Sequence, residues 1–278
     1  MGQSGRSSRR GFLQSGAGGT ALAVSATAAA AERSKVRYAE LLPHEFRKRL
    51  SERPIAYLPL GTLEWHGEHL ALGSDAIQSE GLLAECARRF GGIVMPAIHL
   101  GPGSARPGED GRMLYDMDYS DWTKPPRQLD GSCYWVPIGL HLLMVDAILE
   151  QLKRAGFRAI FADGHGPSRW SWVEKIKERE SRFGLKLFGV TKDIALQWKS
   201  QMDHAARNET SLMLHLRPDL VDISQLGADR SVHPVGVGAA PYADPRDATA
   251  EYGRDCLERS IALVRQVFVK AGVLPENL

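Results

Sequence analysis

The sequence has few cysteines, little net charge and no nucleotide-binding motif. Its three cysteines are an odd number and make a poor disulfide framework. Cys86 and Cys256 fall within helical patterns, which indicates small buried residues rather than redox or ligand groups. The formal net charge is only +2, and three arginines precede residue 32, so the rest of the chain is close to neutral. The cysteines and the lack of a nucleotide motif therefore give no reason to expect a redox protein. The near-neutral charge gives no reason to expect nucleic acid or an anionic membrane as a partner.

The first 31 residues have the pattern of an export signal. Arg9 and Arg10 precede Phe12 and a weakly apolar segment rich in Gly and Ala, which ends in small residues. This is the twin-arginine form of a signal peptide, and its apolar part is too short to span a membrane. We expect cleavage near Ala28 or Ala31 and transport by the twin-arginine export machinery. The mature protein, residues 32–278, should then be periplasmic or otherwise exported, without a membrane anchor.

Apolar periodicity predicts alternating strands and helices in the mature chain. Strands are predicted over residues 55–60, 92–95, 157–162 and 185–190, and helices over residues 79–90, 140–155, 170–183 and 248–271. This alternation is typical of a three-layer α/β fold, in which a mostly parallel sheet carries helices on both faces. Residues 101–132 show no regular pattern and are rich in Gly, Pro, Asp and aromatic residues.

Candidate metal ligands are concentrated just after the predicted strand 55–60. Glu64 and His66 are two residues apart, so on extended backbone they project from the same face. Asp75 lies beyond a Gly-Ser turn and could fold back to bridge two ions. Carboxylate oxygen with imidazole nitrogen suits zinc, manganese or iron. Several candidate ligands lie close together in the sequence among leucines, which are usually buried. This pattern favours a metal site over solvated surface residues.

Two later segments carry further candidates. His165 stands between two glycines directly after the predicted strand 157–162, where ligands bind in open parallel sheets. Asp163 would orient His165 or cap the following turn. His204 and Glu209 would both point inward if a loop carried His204 into a helix starting near Glu209. The alternative is ordinary helix capping by Asn208 with an acidic residue in the first turn.

These three segments resemble the creatininase (creatinine amidohydrolase) family. The family has three motifs, and this chain carries a version of each in the same order. The motif Glu-x-His-Gly-x-His with a following Asp appears here as EWHGEHLALGSD. Asn-Gly-His-Gly-Gly-Asn appears as DGHGPS, and His-Ala-Gly-x-x-Glu-Thr-Ser appears as HAARNETS. The resemblance covers most of residues 55–216. It implies a creatininase-like fold with two divalent metal ions. The two ligand sets would be Glu64, Asp75 and His165 for one ion, and His66, Asp75 and Glu209 for the other.

One ligand position departs from the family pattern. Creatininase places a glutamate two residues after the histidine that matches His165, but this chain has Pro167 there. Proline cannot bind a metal ion, so the resemblance implies that Glu209 takes over as the ligand. The changes at Pro167, Asp163 and Ser168 also weigh against creatinine as the substrate.

The resemblance implies a metal-dependent hydrolase. Two ions sharing a carboxylate lower the pKa of a bridging water, which can then hydrolyse a cyclic or linear amide, or a similarly activated carbonyl, of a small molecule. His204 would carry a proton to the leaving group, so His204 and Glu209 are the candidate catalytic residues. Glu68 and His69 would contact the substrate or support the metal ligands.

The substrate should be selected by the irregular segment. Trp122, Tyr134 and Trp135 suggest a stacking wall or lid, although aromatic residues in long loops also suit subunit contacts. Two alternatives stay open: a keto-inositol or keto-sugar hydrolase, and a non-catalytic exported protein that binds a metal or a small solute. The resemblance further implies a homo-oligomer, which in this family is typically a hexamer.

Overall fold

A computed structural model describes residue 1 and residues 35–190, 203–238 and 243–277. Nearly all of the predicted signal, residues 1–31, lies outside these ranges, so the signal and the export that it implies stay predictions. No helix among the described residues is long and apolar enough to cross a membrane. Cys86, Cys133 and Cys256 are free, and Cys86 and Cys256 are buried, as their helical patterns indicated.

Strands and helices alternate through the described chain. The strands are β1 (Ile55–Leu60), β2 (Ile93–Val94), β3 (Gly101–Pro102), β4 (Ala105–Pro107), β5 (Met113–Tyr115), β6 (Trp135–Val136), β7 (Ala159–Gly164) and β8 (Lys186–Gly189). The helices are α1 (Pro43–Glu52), α2 (Ser74–Phe90), α3 (Ile138–Ala155), α4 (Gly166–Glu174), α5 (Ile176–Phe183), α6 (Arg207–Leu216) and α7 (Ala250–Lys270).

The central sheet has the order β2-β1-β7-β8, and every neighbouring pair is parallel. Side chains alternate between its faces, as period-2 geometry requires. Tyr57 and Phe161 point toward one core, which is completed by α2 and α7. Leu58 and Ile160 point toward the other core, which is completed by α3 and α4. The prediction of a parallel sheet between two helical layers is confirmed.

The carboxyl ends of β1 and β7 lie unusually close together. Their register pairs Leu60 with Gly164. A Cβ on Gly164 would lie 1.7 Å from the carbonyl oxygen of Leu60, and the φ of Gly164 is +145°. Only glycine tolerates this conformation and this contact. The residues that follow the two central strands are therefore placed side by side.

Several element boundaries differ from the predictions. Helix α2 begins at Ser74 rather than residue 79, so Asp75 lies in its first turn instead of in a turn before the helix. The helix predicted over residues 170–183 is two helices, α4 and α5, separated at Lys175, whose ψ of 1° departs from the helical value. Helix α4 begins early, at Gly166, because Pro167 suits the first helical turn.

The irregular segment has sparse local structure. Strands β3 and β6 form a short parallel pair, and β4 and β5 form a short antiparallel pair. A 3₁₀ turn, Asp116–Tyr119, follows β5 directly. The segment crosses the edge of the sheet at which β1 and β7 end, because residue Gly61 after β1 lies against Gly101 of β3.

Candidate metal centre

Four parts of the chain meet beyond the carboxyl ends of β1 and β7. The loop after β1 supplies Glu64 and His66, and the first turn of α2 supplies Asp75. His165 is the residue that follows β7. The start of α6 supplies Glu209, and His204 lies in the loop before it. The structure thus brings together all the metal ligands predicted from the sequence, together with His204.

The ligand atoms face one another at short distances. His66 Nε2 lies 3.6 Å from Asp75 Oδ2 and 3.5 Å from Glu209 Oε2. His165 Nε2 lies 3.8 Å from Glu64 Oε2. His204 Nδ1 lies 3.9 Å from the same Glu64 oxygen. These separations are too long for direct hydrogen bonds but suit atoms that share a bound cation.

Backbone and hydroxyl groups fix the orientation of each imidazole. His66 Nδ1 lies 3.0 Å from the carbonyl oxygen of Glu64, to which it can donate, and His204 Nε2 lies 2.8 Å from the carbonyl oxygen of Trp65. His165 Nδ1 lies 3.1 Å from Ser168 Oγ. In each case the opposite ring nitrogen faces the centre, as is usual for metal-binding histidines.

The start of α6 holds Glu209 in place. The Ala205 N–H donates to Glu209 Oε2 at 2.7 Å. Asp203 accepts from the N–H of Asn208 at 2.9 Å and from that of Glu209 at 3.3 Å. Helix capping does occur here, but Asp203 provides it rather than Asn208. The oxygen that Ala205 holds, Glu209 Oε2, is the one that faces His66.

The donor atoms fit divalent metal ions. His66 Nε2 and Asp75 Oδ2 are buried and have no hydrogen-bond partner among the described residues, which is costly unless a ligand satisfies them. Three groups have ligand atoms within 4.8 Å of one another. Two of them are the sets that the resemblance implies, and both contain Asp75. The three groups are Glu64, Asp75 and His165; His66, Asp75 and Glu209; and Glu64, His66 and His204.

Burial and mutual charge shift the pKa values of these groups strongly. Burial raises the pKa of Glu209 to about 8, and burial together with the charge of Asp75 raises that of Glu64 well above its usual value. Burial opposes the charge on His66, but Asp75 and Glu209 outweigh it and raise its pKa to about 10. Burial likewise opposes ionisation of Asp75, but His66 outweighs it and lowers its pKa. Without metal, the cluster therefore holds protons that a cation would displace.

The other two histidines of the centre are neutral near pH 7. Burial lowers the pKa of His165 to about 4. Burial and the charge of His66 lower the pKa of His204 to about 3. A neutral imidazole has a free lone pair, so each is able to bind a metal ion or accept a proton at the nitrogen that faces the centre.

A cleft of about 510 Å³ opens onto the centre, and Glu64, Asp75, His165, His204 and Glu209 line it. Asp163 does not orient His165 as the sequence suggested, because His165 Nδ1 lies 3.1 Å from Ser168 Oγ and Asp163 Oδ1 lies 2.7 Å from Arg169 Nε, in a largely buried ion pair.

Most of the predicted substrate-binding residues lie elsewhere. Glu68 is exposed, and His69 is buried with Nε2 2.9 Å from Thr210 Oγ1. Trp122 is 42% exposed and stacks on His233, with ring centroids 3.9 Å apart, beside a different cavity. Tyr134 is 43% exposed. None of these four residues is among the described residues that line the cleft at the centre.

Trp135 lies beside His165, although it too is not among the described residues that line the cleft. Its ring centroid is 5.7 Å from that of His165, and Tyr115 stacks on it at 5.9 Å with an interplanar angle of 8°. Sequence reasoning missed Asp116, whose Oδ2 lies 3.8 Å from His165 Nε2. The only signal for Asp116 was the aspartate-rich composition of an irregular segment, which does not single out one residue.

Comparisons with known proteins point to one family. A family model described as creatininase, creatinine amidohydrolase, matches residues 39–113 and 137–268, which is well over half of the chain. A creatinine amidohydrolase from Pseudomonas putida is 28% identical over 193 residues, which are 62% of this chain and 68% of that protein.

Solved creatininase structures share the fold. A creatininase described as the manganese form has a TM-score of 0.64 and 23% identity, and the match covers 86% of this chain and 99% of that one. A creatininase mutant of Zn–Zn type has a TM-score of 0.62 and 22% identity, with coverage of 86% and 98%. The structural likeness shows the fold and the family model shows the family, so the chain belongs to the creatininase family of metal-dependent hydrolases.

Proposed function

We propose that the protein hydrolyses an amide bond of a small molecule at a centre of two divalent ions. The observation that carries this proposal is the position of Asp75, which belongs to two of the three ligand groups. A carboxylate shared in this way can bridge two ions. Zinc and manganese are the first candidates, because the similar structures are described as Zn–Zn and Mn forms, and iron also suits the donor set.

Each residue of the centre has a defined task in this proposal. Glu64, Asp75 and His165 hold one ion, and His66, Asp75 and Glu209 hold the other. Glu209 takes the place of the glutamate that is absent at Pro167, and its contact with His66 supports this assignment. When bound, two such ions acidify water and polarise a carbonyl group.

His204 is proposed to move the proton. Its Nε2 is held by the carbonyl oxygen of Trp65, so Nδ1 is the nitrogen that faces Glu64 and the cleft. His204 is neutral at pH 7, because its pKa is lowered, so the lone pair of Nδ1 is available. It would take a proton from the attacking water and pass it to the leaving nitrogen of the amide as the C–N bond breaks.

We further propose that the mature protein works outside the cytoplasm and as a homo-oligomer. The paired Arg9 and Arg10 and the small residues up to Ala31 support export. Membership of the creatininase family supports oligomerisation. Fractionation of cells with and without a functional twin-arginine pathway, and light scattering on the purified protein, test the two proposals.

Metal content and turnover test the proposed activity together. Glu64→Gln should lose metal and turnover, whereas Glu68→Gln removes an exposed carboxylate of the same motif and should lose neither. Creatinine is the first compound to assay, because the curated relative is named as a creatinine amidohydrolase. Lactams and other cyclic amides follow. Full metal content with no hydrolysis of any amide would favour the binding-protein alternative. Unchanged metal in Glu64→Gln would refute the ligand assignment.

A further inference from the structure

Asp116 lies in a part of the chain that the family model does not match, residues 114–136. It follows β5 and has a φ of +38°, a conformation that is rare for residues other than glycine. Such conformations persist where the surrounding structure enforces them, and they are often found at functional sites. The Ser104 N–H donates to Asp116 Oδ1 at 2.8 Å, so one carboxylate oxygen is firmly held.

The other carboxylate oxygen has no hydrogen-bond partner in the part of the chain that the structure describes. Asp116 Oδ2 is buried, and no described residue forms a hydrogen bond with it. It faces the cleft on the side of His165, at 3.8 Å from Nε2. A Cβ on Gly103 would lie 2.7 Å from this oxygen and 2.9 Å from the Trp135 ring. The glycine therefore leaves room for both side chains next to the centre.

Asp116 is not assigned as a metal ligand. It belongs to none of the three groups in which the ligand atoms all lie within 4.8 Å of one another. An oxygen in this position has a free acceptor site that faces the cleft at the edge of the metal centre. The geometry is therefore suited to a hydrogen bond with a bound molecule.

The charges around the cleft indicate what kind of molecule would donate that bond. Arg169 is the one arginine or lysine among the described residues that line the cleft. It is engaged, because its Nε lies 2.7 Å from Asp163 and its Nη2 donates to the carbonyl oxygen of Gly164. Among the described residues, the cleft thus offers an unpaired carboxylate oxygen with no free side-chain cation beside it, so this position favours an N–H donor of the substrate over an acidic group.

We propose that Asp116 is a substrate-binding residue whose Oδ2 accepts a hydrogen bond from an N–H of the substrate. The substrate class is then a small amide that carries a free N–H. This rests on the proposed amidohydrolase function. It adds a determinant of specificity that the family motifs do not contain.

Asp116→Asn tests this proposal cleanly. Asparagine is also tolerated at positive φ, so the backbone should be retained. The Ser104 N–H requires an acceptor, which fixes the amide oxygen at the Oδ1 position and leaves the NH₂ group facing the cleft. The variant thus replaces the acceptor with a donor. Asp121→Asn, in the same segment but at an exposed position, is the matched control for charge.

The probes are hydantoin, which has ring N–H groups, and 1,3-dimethylhydantoin, which has none. Dissociation constants, or KM where a probe is hydrolysed, are measured on metal-loaded protein. Wild type and Asp121→Asn should prefer hydantoin, and Asp116→Asn should weaken hydantoin binding by about 10-fold or more while binding of the dimethyl probe changes little. Gly103→Ala, which crowds the same oxygen without changing charge, should reduce the same preference.

Three results would overturn the proposal. The first is that wild type binds the two probes equally or binds neither. The second is an unchanged preference in Asp116→Asn when circular dichroism shows that the variant is folded. The third is loss of a metal ion from Asp116→Asn, which would make Asp116 a ligand. A protein that binds both metal ions but hydrolyses no amide contradicts the proposed function instead. Because binding is measured without turnover, the two failures are distinguishable.

Discussion

Stripping the metal and raising the pH should destabilise the protein, because the folded ligand cluster holds protons that the unfolded chain releases. The pKa of Glu209 is raised to about 8 by burial, and that of His66 is raised to about 10 by Asp75 and Glu209 against the effect of burial. In the unfolded chain, the values are about 4.3 for Glu and about 6.5 for His. A raised pKa contributes stability that is complete below the unfolded value and is lost as the pH increases through the folded value.

Buried histidines in and near the metal centre set the lower limit of the pH range in which this loss of stability can be measured. Burial lowers the pKa of His69 and His165 to about 4, and burial with the charge of His66 lowers that of His204 to about 3. These histidines increase stability as the pH rises through about 6.5, and their effect is complete about one pH unit above it. From about pH 7.5 to pH 9 the slope therefore reflects Glu209 and His66. The raised pKa of Glu64 acts in the same direction.

The magnitude follows from the number of protons. Within this window the folded protein binds about one to two more protons than the unfolded chain, so the free energy of unfolding should fall by roughly 1.4 to 3 kcal/mol per pH unit. For a chain of this size, that corresponds to a decrease in Tm of roughly 3 to 12 °C per pH unit.

Urea and thermal unfolding of chelated protein at several pH values between about 7.5 and 9 measure this slope. Saturating zinc or manganese should abolish or reverse it, because the ions replace the protons. Glu209→Gln removes one titrating group and should reduce the slope in the metal-free protein. Equal stability across the window without metal would refute the inference that the cluster is protonated.

Three other substitutions probe the centre and its support. Asp75→Asn should lose both ions together, as elemental analysis would show, and retention of one ion would mean that Asp75 does not bridge. His204→Gln should lower kcat by about 10²- to 10⁴-fold with unchanged metal content, whereas a drop in metal would make His204 a ligand. A Cβ on Gly253 would lie 1.8 Å from the carbonyl oxygen of Ser211, so Gly253→Ala should destabilise the protein by about 1–3 kcal/mol in thermal unfolding. Gly139→Ala, where nothing lies within 4 Å, is its control, and an equal effect of the two would contradict close helix packing at Gly253.

The sequence predicted the layers, and the candidate metal ligands that it indicated lie together in the structure, because both follow from local patterns. The strand over residues 55–60 was placed correctly, since its buried side chains form an unbroken apolar run. Glu64 and His165 follow strands whose carboxyl ends must meet at one edge of a parallel sheet. The C-terminal helix was predicted within two residues of Ala250–Lys270, because its apolar stripe follows the helical period.

The position of the irregular segment could not be predicted in the same way. The path of residues 114–136 depends on tertiary contacts, such as the stacking of Tyr115 on Trp135 and the room left by Gly103. Composition does not distinguish the aromatic residues of this segment from one another. In the structure, Trp135 lies beside His165, whereas Trp122 lies beside a different cavity and does not line the cleft at the metal centre. Asp116 was missed for the same reason.

The most direct test of the two-ion centre is anomalous diffraction at the zinc or manganese edge from crystals of the metal-loaded protein. We predict two peaks about 3.5–4 Å apart, with Asp75 between them, Glu64 and His165 on one ion, and His66 and Glu209 on the other. A single peak bound by Glu64, His66 and His204, which form the third group within 4.8 Å, would contradict the bridged centre.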